Sequence, residues 1–309
     1  MQNKSPADVL GSAAFDILSK HDITLAEPIT VGLSKDKKFY GELSNGSKIL
    51  VRISDISGKK KKEAEYKRCT LMAEFGIPMP QPVDFGLCNN GENVFQIFTW
   101  CKGEKLENLL PSLSKEEQYL IGLKAGEILY KIHSVPVKNE DVIHENWYDR
   151  YTDFINESIE DFLKCGLEIK GADLIIDFYS QNKSLLKTRP QNYLHGDFHT
   201  SNMLYDNGKL YIIDWEIQLF NSYGDPWSEV AMQYSPNGFS AGLINGYFNQ
   251  EPPTEYWTVL ALYQSIRAIH SIPWAFHHQR DYLEPLIKRV ADVLLWYNNM
   301  NCVMPSWYS

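Results

Sequence analysis

Residues 193–216 constrain the fold of this chain more than any other stretch. The segment Tyr193–Tyr205 ends in an apolar run, and a second apolar run begins at Leu210. Between them stand Asp206, Asn207 and Gly208, which accept the positive φ angles of a tight hairpin. The pattern therefore predicts two strands joined by a turn.

Three polar residues in this stretch have a spacing that suits phosphoryl transfer. Asp197 and Asn202 are five positions apart, and Asp214 follows twelve positions later. Moving the γ-phosphoryl group of a nucleotide needs a carboxylate that orients the attacking hydroxyl and ligands for the magnesium that bridges the phosphates. Asp197 suits the first role because it lies in a loop. Asn202 and Asp214 suit the second because magnesium prefers hard oxygen ligands.

The same residues carry a family resemblance. His195-Gly-Asp197 with Asn202, followed by Ile213-Asp214-Trp215, resembles the catalytic loop and metal-binding segment of the aminoglycoside phosphotransferase family. Those enzymes share the protein-kinase fold, whose corresponding motifs are H-R-D-x-x-x-x-N and D-F-G. The resemblance implies phosphorylation of a small-molecule hydroxyl by ATP or GTP with Mg²⁺. Asp197 would be the catalytic base, and Asn202 and Asp214 would bind the metal.

Two other interpretations use the same residues. His195, Asp197 and His199 alternate along one segment and could hold zinc or iron in a hydrolase. The chain has no H-E-x-x-H motif and no second His and Asp cluster at metal-ligand spacing, so the kinase-like interpretation is favoured. In that interpretation His195 is a structural residue of the loop rather than a metal ligand. A nucleotide-binding protein without turnover is the other alternative, although the complete set of polar residues argues against it.

Composition and charge limit the class of protein. With 309 residues and 44% hydrophobic residues, the chain can bury a substantial core. It has no signal-type apolar start and no apolar run of membrane-spanning length, so we expect a cytoplasmic protein without a membrane partner. The five cysteines are scattered and form no C-x-x-C pair, which indicates neither a disulfide framework nor a structural zinc site.

The net charge of -9 is unevenly distributed. Residues 1–102 contain 14 Lys and Arg against 12 Asp and Glu, whereas residues 103–309 contain 16 against 27. An acidic surface disfavours nucleic acid as a partner and would concentrate a cationic small molecule near its clefts. Plain solubility is the alternative explanation.

The hydrophobic pattern of the N-terminal part predicts a helix over residues 6–21, followed by strands over residues 29–40 and 48–53. In a kinase-like lobe the first hairpin covers the nucleotide phosphates, which would place Ser34 near the β-phosphate. Gly32 is the single glycine of this loop, so an ordinary basic hairpin is the alternative.

Phosphate and purine contacts follow from the same resemblance. Arg52 occupies the place of the strand lysine that binds the α- and β-phosphates in kinases. A helix is predicted over residues 59–74, and it places Glu65 where it is expected to form an ion pair with Arg52. The lysines at 59–62 are predicted to form a solvated face of this helix. After a strand over residues 93–98, the segment 99–103 resembles the hinge, where the carbonyl of Thr99 and the N–H of Cys101 would bind the purine.

Further residues are expected to contact the acceptor or to support the catalytic loop. The Gly-Asp-Pro motif implies that Asp225 accepts backbone hydrogen bonds and braces the loop, with Glu229 where many relatives have an aspartate. His133 ends a helix over residues 116–133 and is predicted to pack. Trp215 and Trp274 are candidate contacts to the acceptor through their aromatic rings, and core packing is the alternative role for them. Asp149, Asp153 and Glu157 form an acidic stripe that would suit a polyamine, and a solvated helix face is the alternative.

Together these observations predict an α+β, protein-kinase-like fold of two lobes. A small β-rich lobe spans residues 1–102 and binds the nucleotide, and a larger helical lobe spans residues 103–309. The expected acceptor is a cationic, aminoglycoside-like amino sugar. The family resemblance implies a link to antibiotic resistance, but the sequence does not decide whether this protein confers it. A choline-type or other metabolite kinase is the alternative. The sequence does not decide between ATP and GTP, identify the hydroxyl, or indicate the oligomeric state.

Overall fold

The structure, a computed structural model, describes residues 4–30, 35–215, 222–232 and 237–308. It divides into two compact units. The first contains Met1–Asn108 and Thr200–Ile217, and the second contains Leu109–His199 and Gln218–Ser309. The segment from residue 200 to 217 therefore packs with the first unit, although the sequence interpretation had grouped it with the larger lobe.

A five-stranded antiparallel sheet forms the centre of the first unit. Its strands have the order β1-β2-β3-β5-β4. The bounds are β1 Ile23–Ile29, β2 Lys37–Leu43, β3 Lys48–Asp55, β4 Pro82–Cys88 and β5 Asn93–Thr99. Helix α3, Lys59–Glu74, connects β3 to β4 with the predicted bounds. The alternating buried residues Ile49, Val51 and Ile53 of β3 fix which face of the central strand enters the core.

Two predicted elements at the N-terminus have different bounds. The predicted helix over residues 6–21 is broken into α1, Pro6–Leu10, a 3₁₀ turn, and α2, Ala14–Leu18. Gly11 ends α1 with φ +62°, a left-handed conformation that glycine adopts readily. Of the strand predicted over residues 29–40, residues 37–40 lie in β2 and residue 29 ends β1, so the prediction missed most of β1. Pro28 hid this strand from the pattern, but β1 is an edge strand, where proline is tolerated.

The predicted hairpin of the 193–216 stretch is present. Strand β8, Met203–Asp206, pairs with β9, Lys209–Ile212, and Asn207 and Gly208 of the turn have φ +47° and +87°. A third short strand, β6, Glu104–Lys105, pairs with β8. This pairing explains why the hairpin belongs to the first unit.

The second unit is mostly helical. Short strands β7, Asn192–Tyr193, and β10, Tyr223–Gly224, pair with each other. The helices are α5 Lys115–His133, α6 Trp147–Lys164, α7 Ala172–Asn182, α8 Pro226–Val230, α9 Gly238–Tyr247, α10 Thr254–His278 and α11 Leu283–Trp296, and the short α4, Leu106–Leu109, precedes them.

Helices α5 and α9 approach each other closely through glycines. A Cβ atom added at Gly122 would lie 2.2 Å from the carbonyl oxygen of Phe239, and one added at Gly242 would lie 2.1 Å from that of Tyr119. No side chain fits between the two backbones at these positions. This contact packs the first half of α5 against α9, and at the other end of α5 the ring of His133 contacts Tyr247 of α9 over 2.9 Å.

Among the residues described, no helix is both long and apolar enough to cross a membrane.

Candidate active site

A cavity of about 440 Å³ lies within the first unit. Its wall is largely apolar and includes Ile29, Leu50 and Phe98 of the five-stranded sheet. Its polar residues include Arg52, Glu65, Gln96, Asn202 and Asp214, together with Lys38, Ser201 and others from the segment that follows β5. A cavity of this size with a few polar groups in an apolar wall is typical of a site for a small ligand or cofactor.

The β8–β9 hairpin delivers two of these polar residues to the cavity. Asn202 directly precedes β8, Asp214 follows β9, and the N–H of Ile213 donates to the carbonyl of Asn202 over 2.9 Å. Antiparallel pairing therefore brings the two residues to the same end of the hairpin. Asp214 has φ +63°, a strained conformation for a residue with a side chain, and such strain is often found at functional sites.

The segment after β5 lines the same cavity. Thr99 and Cys101 are both in the wall, as the hinge assignment requires. The N–H of Trp100 donates to the carbonyl of Lys48 over 2.9 Å, which ties the segment to β3. Within the described part of the chain, the backbone of Cys101 has no hydrogen-bond partner. Burial raises the pKa of its thiol to about 11, so the side chain is neutral and adds no charge to the cavity.

The charged network at Arg52 differs from the expected one. Nη2 of Arg52 donates to Asp36 over 2.8 Å, and Nζ of Lys62 also contacts Asp36 over 2.8 Å. Lys62 in turn contacts Glu65 over 3.1 Å. The prediction that Arg52 pairs with Glu65 is therefore wrong, because Asp36 binds the arginine and Lys62 binds the glutamate. Lys62 is buried between these carboxylates, so the predicted solvated face does not include it. The two neighbouring cations hold the pKa of Asp36 well below its ordinary value.

Ser34 lies outside the described residues.

In the second unit, Asp197 lies in a loop held by a buried carboxylate. Glu229 of α8 accepts hydrogen bonds from the backbone N–H groups of His195, over 2.8 Å, and of Gly196. It also contacts Nε2 of His133 over 3.0 Å. Asp197 itself is 48% exposed, and its Oδ2 lies 3.0 Å from Nε2 of His199. The loop backbone is thus fixed while its carboxylate stays accessible.

Asp225 supports the helix that carries Glu229. Its fully buried carboxylate caps α8 by accepting from the N–H of Trp227, and it binds Arg189 through two contacts of 3.0 and 3.1 Å. The hydroxyl of Tyr263 donates to it over 2.8 Å. The hydrogen bonds to the backbone N–H groups of His195 and Gly196 come from Glu229, whereas the sequence predicts this bracing role for Asp225.

Comparison with known proteins agrees with this arrangement. Residues 26–263 match the phosphotransferase enzyme family. This chain belongs to that family. In an alignment of 238 positions that covers 70% of this chain, the chain is 24% identical to acyl-CoA dehydrogenase family member 10 of Mus musculus. The alignment covers 21% of the mouse protein, so the chain spans about a fifth of that relative's length.

Solved structures share the fold of this phosphotransferase family member. The GDP and kanamycin complex of APH(2")-IIia superposes with a TM-score of 0.68 at 16% identity, covering 91% of this chain and 96% of that one. The amicoumacin kinase hAmiN, in complex with AMP-PNP, Ca²⁺ and Ami, superposes with a TM-score of 0.58 at 12% identity, covering 90% of each chain. The predicted α+β, protein-kinase-like fold is confirmed.

Two oxygen donors of this phosphotransferase fit a divalent cation of the kind the family implies. The side chains of Asn202 and Asp214 offer hard oxygen ligands at one end of the hairpin, and two protein ligands leave positions for phosphate and water, as Mg²⁺ prefers. Among the described residues, no group of three or more His, Cys, Asp or Glu side chains is arranged to hold a metal. His195 is buried and its Nδ1 accepts from the N–H of Asp197, so it does not form the three-ligand site of the hydrolase interpretation.

The candidate acceptor residues do not gather at one site. Trp215 is buried and lines the cavity of the first unit, and its Nε1 donates to the carbonyl of Ile212. Trp274 is 52% exposed. The acidic residues of α6, Asp149, Asp153 and Glu157, are exposed as well.

A second cavity, of about 290 Å³, contains Asp197 in its wall and lies within the second unit. Two arginines that the sequence interpretation missed, Arg267 of α10 and Arg289 of α11, also line it. They are 22 positions apart and belong to no local motif, so the sequence contained no signal for them. Asp36 and Lys62 were missed for the same reason, because their contact depends on tertiary packing.

Proposed function

We propose that this protein is a phosphotransferase that moves the γ-phosphoryl group of ATP or GTP to a hydroxyl group of a small molecule. The observation that carries the proposal is the position of Asn202 and Asp214. Both lie at one end of a hairpin, in the wall of an apolar cavity that also contains Thr99 and Cys101. Such a wall offers an apolar surface to a purine and oxygen ligands to a metal-bound phosphate.

The residues of the first unit would hold the nucleotide. The purine would lie among Leu50, Met79 and Phe98, with the unpaired N–H of Cys101 donating to its edge. Arg52 would bind phosphate oxygens through its guanidinium, which suits phosphate geometry. Mg²⁺ held by the side chains of Asn202 and Asp214 would neutralise charge on the phosphates.

Asp197 would act on the acceptor. Its half-exposed carboxylate can accept a hydrogen bond from the attacking hydroxyl and take its proton as the bond to phosphorus forms. The bond from the γ-phosphorus to the nucleotide breaks in the same transfer, which leaves ADP or GDP. Glu229 would hold the loop backbone in place during this step. The contact from His199 to Asp197 would orient the carboxylate.

The acceptor class was predicted to be an amino sugar, with a choline-type metabolite as the alternative. A solved relative of similar fold was captured with kanamycin, which supports including aminoglycosides among the acceptors to be tested. The acidic residues behind the prediction of a cationic acceptor are exposed on α6, and none of them lines either of the two cavities described above.

Release of ADP or GDP in the presence of Mg²⁺, measured across a panel of hydroxyl compounds, tests the proposal. The expected result is release that depends on an acceptor and is lost in Asp197→Asn, while that variant still binds nucleotide. A hydrolase would cleave a substrate without any nucleotide requirement. A binding protein would retain nucleotide in both variants without release, and either result would contradict the proposal.

A further inference from the structure

Three polar side chains of the second unit form a hydrogen-bonded chain that ends at the catalytic loop. The hydroxyl of Tyr247 on α9 lies 2.9 Å from Nδ1 of His133 at the end of α5, and Nε2 of His133 lies 3.0 Å from a carboxylate oxygen of Glu229 on α8. Glu229 in turn accepts from the backbone N–H groups of His195 and Gly196. All of these residues lie within one compact unit, so the chain connects three of its helices to the loop.

The chemistry of the three groups sets the direction of the hydrogen bonds. A carboxylate oxygen only accepts, so Nε2 of His133 carries a proton and donates to Glu229. Burial raises the pKa of the Tyr247 phenol, so its hydroxyl keeps its proton. In the neutral imidazole, Nδ1 is then the acceptor for this hydroxyl. Tyr247 thus fixes the tautomer and the orientation of the ring that donates to Glu229.

Burial and helix packing hold the chain in place. All three side chains are buried, and a buried polar atom without a partner is destabilising, so a shift of the imidazole would leave Glu229 short of a donor. A Cβ atom added at Gly126 of α5 would lie 2.5 Å from the backbone nitrogen of Tyr247, so the two helix backbones touch beside the chain. The ring of Tyr247 also packs edge to face on that of His133, at a centroid distance of 5.5 Å.

The chain lies between two cavities of the second unit. Glu229 lines the cavity that contains Asp197, whereas His133 and Tyr247 line a further cavity of about 380 Å³. In the described part of the chain, neither His133 nor Tyr247 lines the cavity of Asp197 or that of Asp214. An effect of either residue on the reaction is therefore expected to pass through Glu229.

We propose that His133 and Tyr247 are positioning residues, which hold Glu229 in the orientation that fixes the catalytic loop before Asp197. The inference rests on the proposed function, because Asp197 is the proposed catalytic base. A loop that loses this support displaces the base relative to the acceptor hydroxyl, and small displacements of a reacting group slow a reaction strongly. Loss of the chain should therefore lower kcat and leave nucleotide affinity unchanged.

Two variants remove different parts of the chain. Tyr247→Phe removes only the hydroxyl that orients the imidazole and should lower kcat by about 3- to 10-fold, whereas His133→Ala removes the donor to Glu229 and should lower it by about 10- to 100-fold. The double variant should be no slower than His133→Ala, because Tyr247 acts only through His133. Tyr130→Phe is the matched control, because Tyr130 is exposed in the wall of the same further cavity and its ring packs on that of Tyr247.

Imidazole added to His133→Ala tests the chemistry of the chain directly. The side chain that is removed lines the further cavity, so a small molecule can enter the space from there. Imidazole should restore most of the lost kcat, because it offers both an N–H donor and an acceptor nitrogen. Thiophene, a ring of similar size without an N–H group, should not restore it. Equal rescue by both rings would show that filling the space is sufficient and would overturn the inference.

Hydrogen exchange at the loop separates this inference from the proposed function. Exchange at the backbone N–H groups of His195 and Gly196, measured by NMR on the full chain, needs no turnover. Both groups should exchange at least about threefold faster in Tyr247→Phe and in His133→Ala than in the wild type and in Tyr130→Phe. If no acceptor stimulates nucleotide-dependent release in the wild type, the proposed function fails, and faster exchange in the two variants still supports the support of the loop by this chain.

Unchanged kcat and unchanged exchange in Tyr247→Phe and His133→Ala would overturn the inference. So would slower turnover with unchanged exchange at the loop, because the effect would not pass through the loop. A loss of AMP-PNP affinity in Tyr247→Phe that matches its loss of kcat would indicate general disruption and would also overturn it. If His133→Ala fails to fold, the comparison of Tyr247→Phe with Tyr130→Phe decides, since each removes one hydroxyl and keeps the ring.

Discussion

The carboxylate of Glu229 accepts a hydrogen bond from the backbone N–H of His195 over 2.8 Å. The same carboxylate accepts from the next N–H, that of Gly196, and both residues immediately precede Asp197. Helix α8 therefore fixes the loop through its backbone, so the position of the proposed catalytic base depends on a residue outside the loop.

Replacement of Glu229 by glutamine should lower kcat by about 10- to 100-fold. The amide keeps one acceptor oxygen but places an NH₂ group among donors, so the loop must shift, and small displacements of a reacting group have effects of this size. Nucleotide affinity should be unchanged, because residues of the first unit line the cavity proposed to bind the nucleotide. Steady-state kinetics and nucleotide titration measure both quantities. Glu127→Gln, an exposed change on α5, is the control, and an unaltered kcat in Glu229→Gln would contradict the role given to Glu229.

Replacement of Asp36 by asparagine should destabilise the protein by about 3 kcal/mol at pH 7, because it leaves Arg52 and Lys62 without their shared, largely buried carboxylate. Urea unfolding of the two proteins measures the difference. Ser57→Ala, a change at an exposed position, is a control outside the network. A difference within the error of the control would show that the ion pairs contribute no net stability.

The same pair of proteins should differ in acid stability. The folded-state pKa of Asp36 is depressed below the ordinary value of 3.8, so its stabilisation is fully present above that pH and is lost as the pH falls toward the folded-state pKa. The difference in the free energy of unfolding between wild type and Asp36→Asn should therefore shrink as the pH is lowered from 5 to 2. A difference that stays constant over this range would contradict the depressed pKa.

Replacement of Gly242 by alanine should destabilise the second unit by at least about 3 kcal/mol. The added Cβ would lie 2.1 Å from the carbonyl oxygen of Tyr119, which is backbone and moves only with its helix, and overpacking of this kind is costly. Thermal or urea unfolding measures the effect. Gly58→Ala is the matched control, since a Cβ there meets no atom within 4 Å. Equal stability of the two variants would show that α5 and α9 can separate without loss.

Replacement of Asp214 by asparagine should raise the Mg²⁺ concentration needed for half-maximal activity by at least about tenfold, since a neutral amide binds the cation more weakly than a carboxylate does. Activity measured over a magnesium titration gives this value. Asp206→Asn changes a half-buried aspartate at the opposite end of β8, next to the turn of the same hairpin, and is the control. An unchanged magnesium requirement in Asp214→Asn would remove this residue from the metal site.

Local signals explain which parts of the fold could be predicted. Helix α3 has the predicted bounds, and the β8–β9 hairpin follows from its turn residues, because periodicity and turn chemistry act over a few positions. The helix break at Gly11 and the strand through Pro28 were not predicted. Glycine can lie within a helix or end it, and proline can lie in a loop or in an edge strand, so tertiary packing selects the conformation at both positions.

The candidate site shows where local reasoning ends. Asp197, Asn202 and Asp214 belong to one contiguous stretch and were found from their spacing. The contact of Asp36 with Arg52 and Lys62 joins three separate elements, so no spacing along the chain indicates it. The sequence placed Lys62 in a solvated run of lysines, but burial between two carboxylates is favourable enough to hold it inside.

The fate of the γ-phosphorus tests the central claim most directly. Phosphorus NMR of a reaction containing nucleotide, Mg²⁺ and an acceptor that stimulates release distinguishes a phosphate ester from inorganic phosphate. The account predicts an ester resonance that grows together with that of ADP or GDP in the wild type and is absent in Asp197→Asn. Inorganic phosphate as the sole product, or an ester formed equally by Asp197→Asn, would contradict the assignment of this chain as a phosphotransferase that uses Asp197.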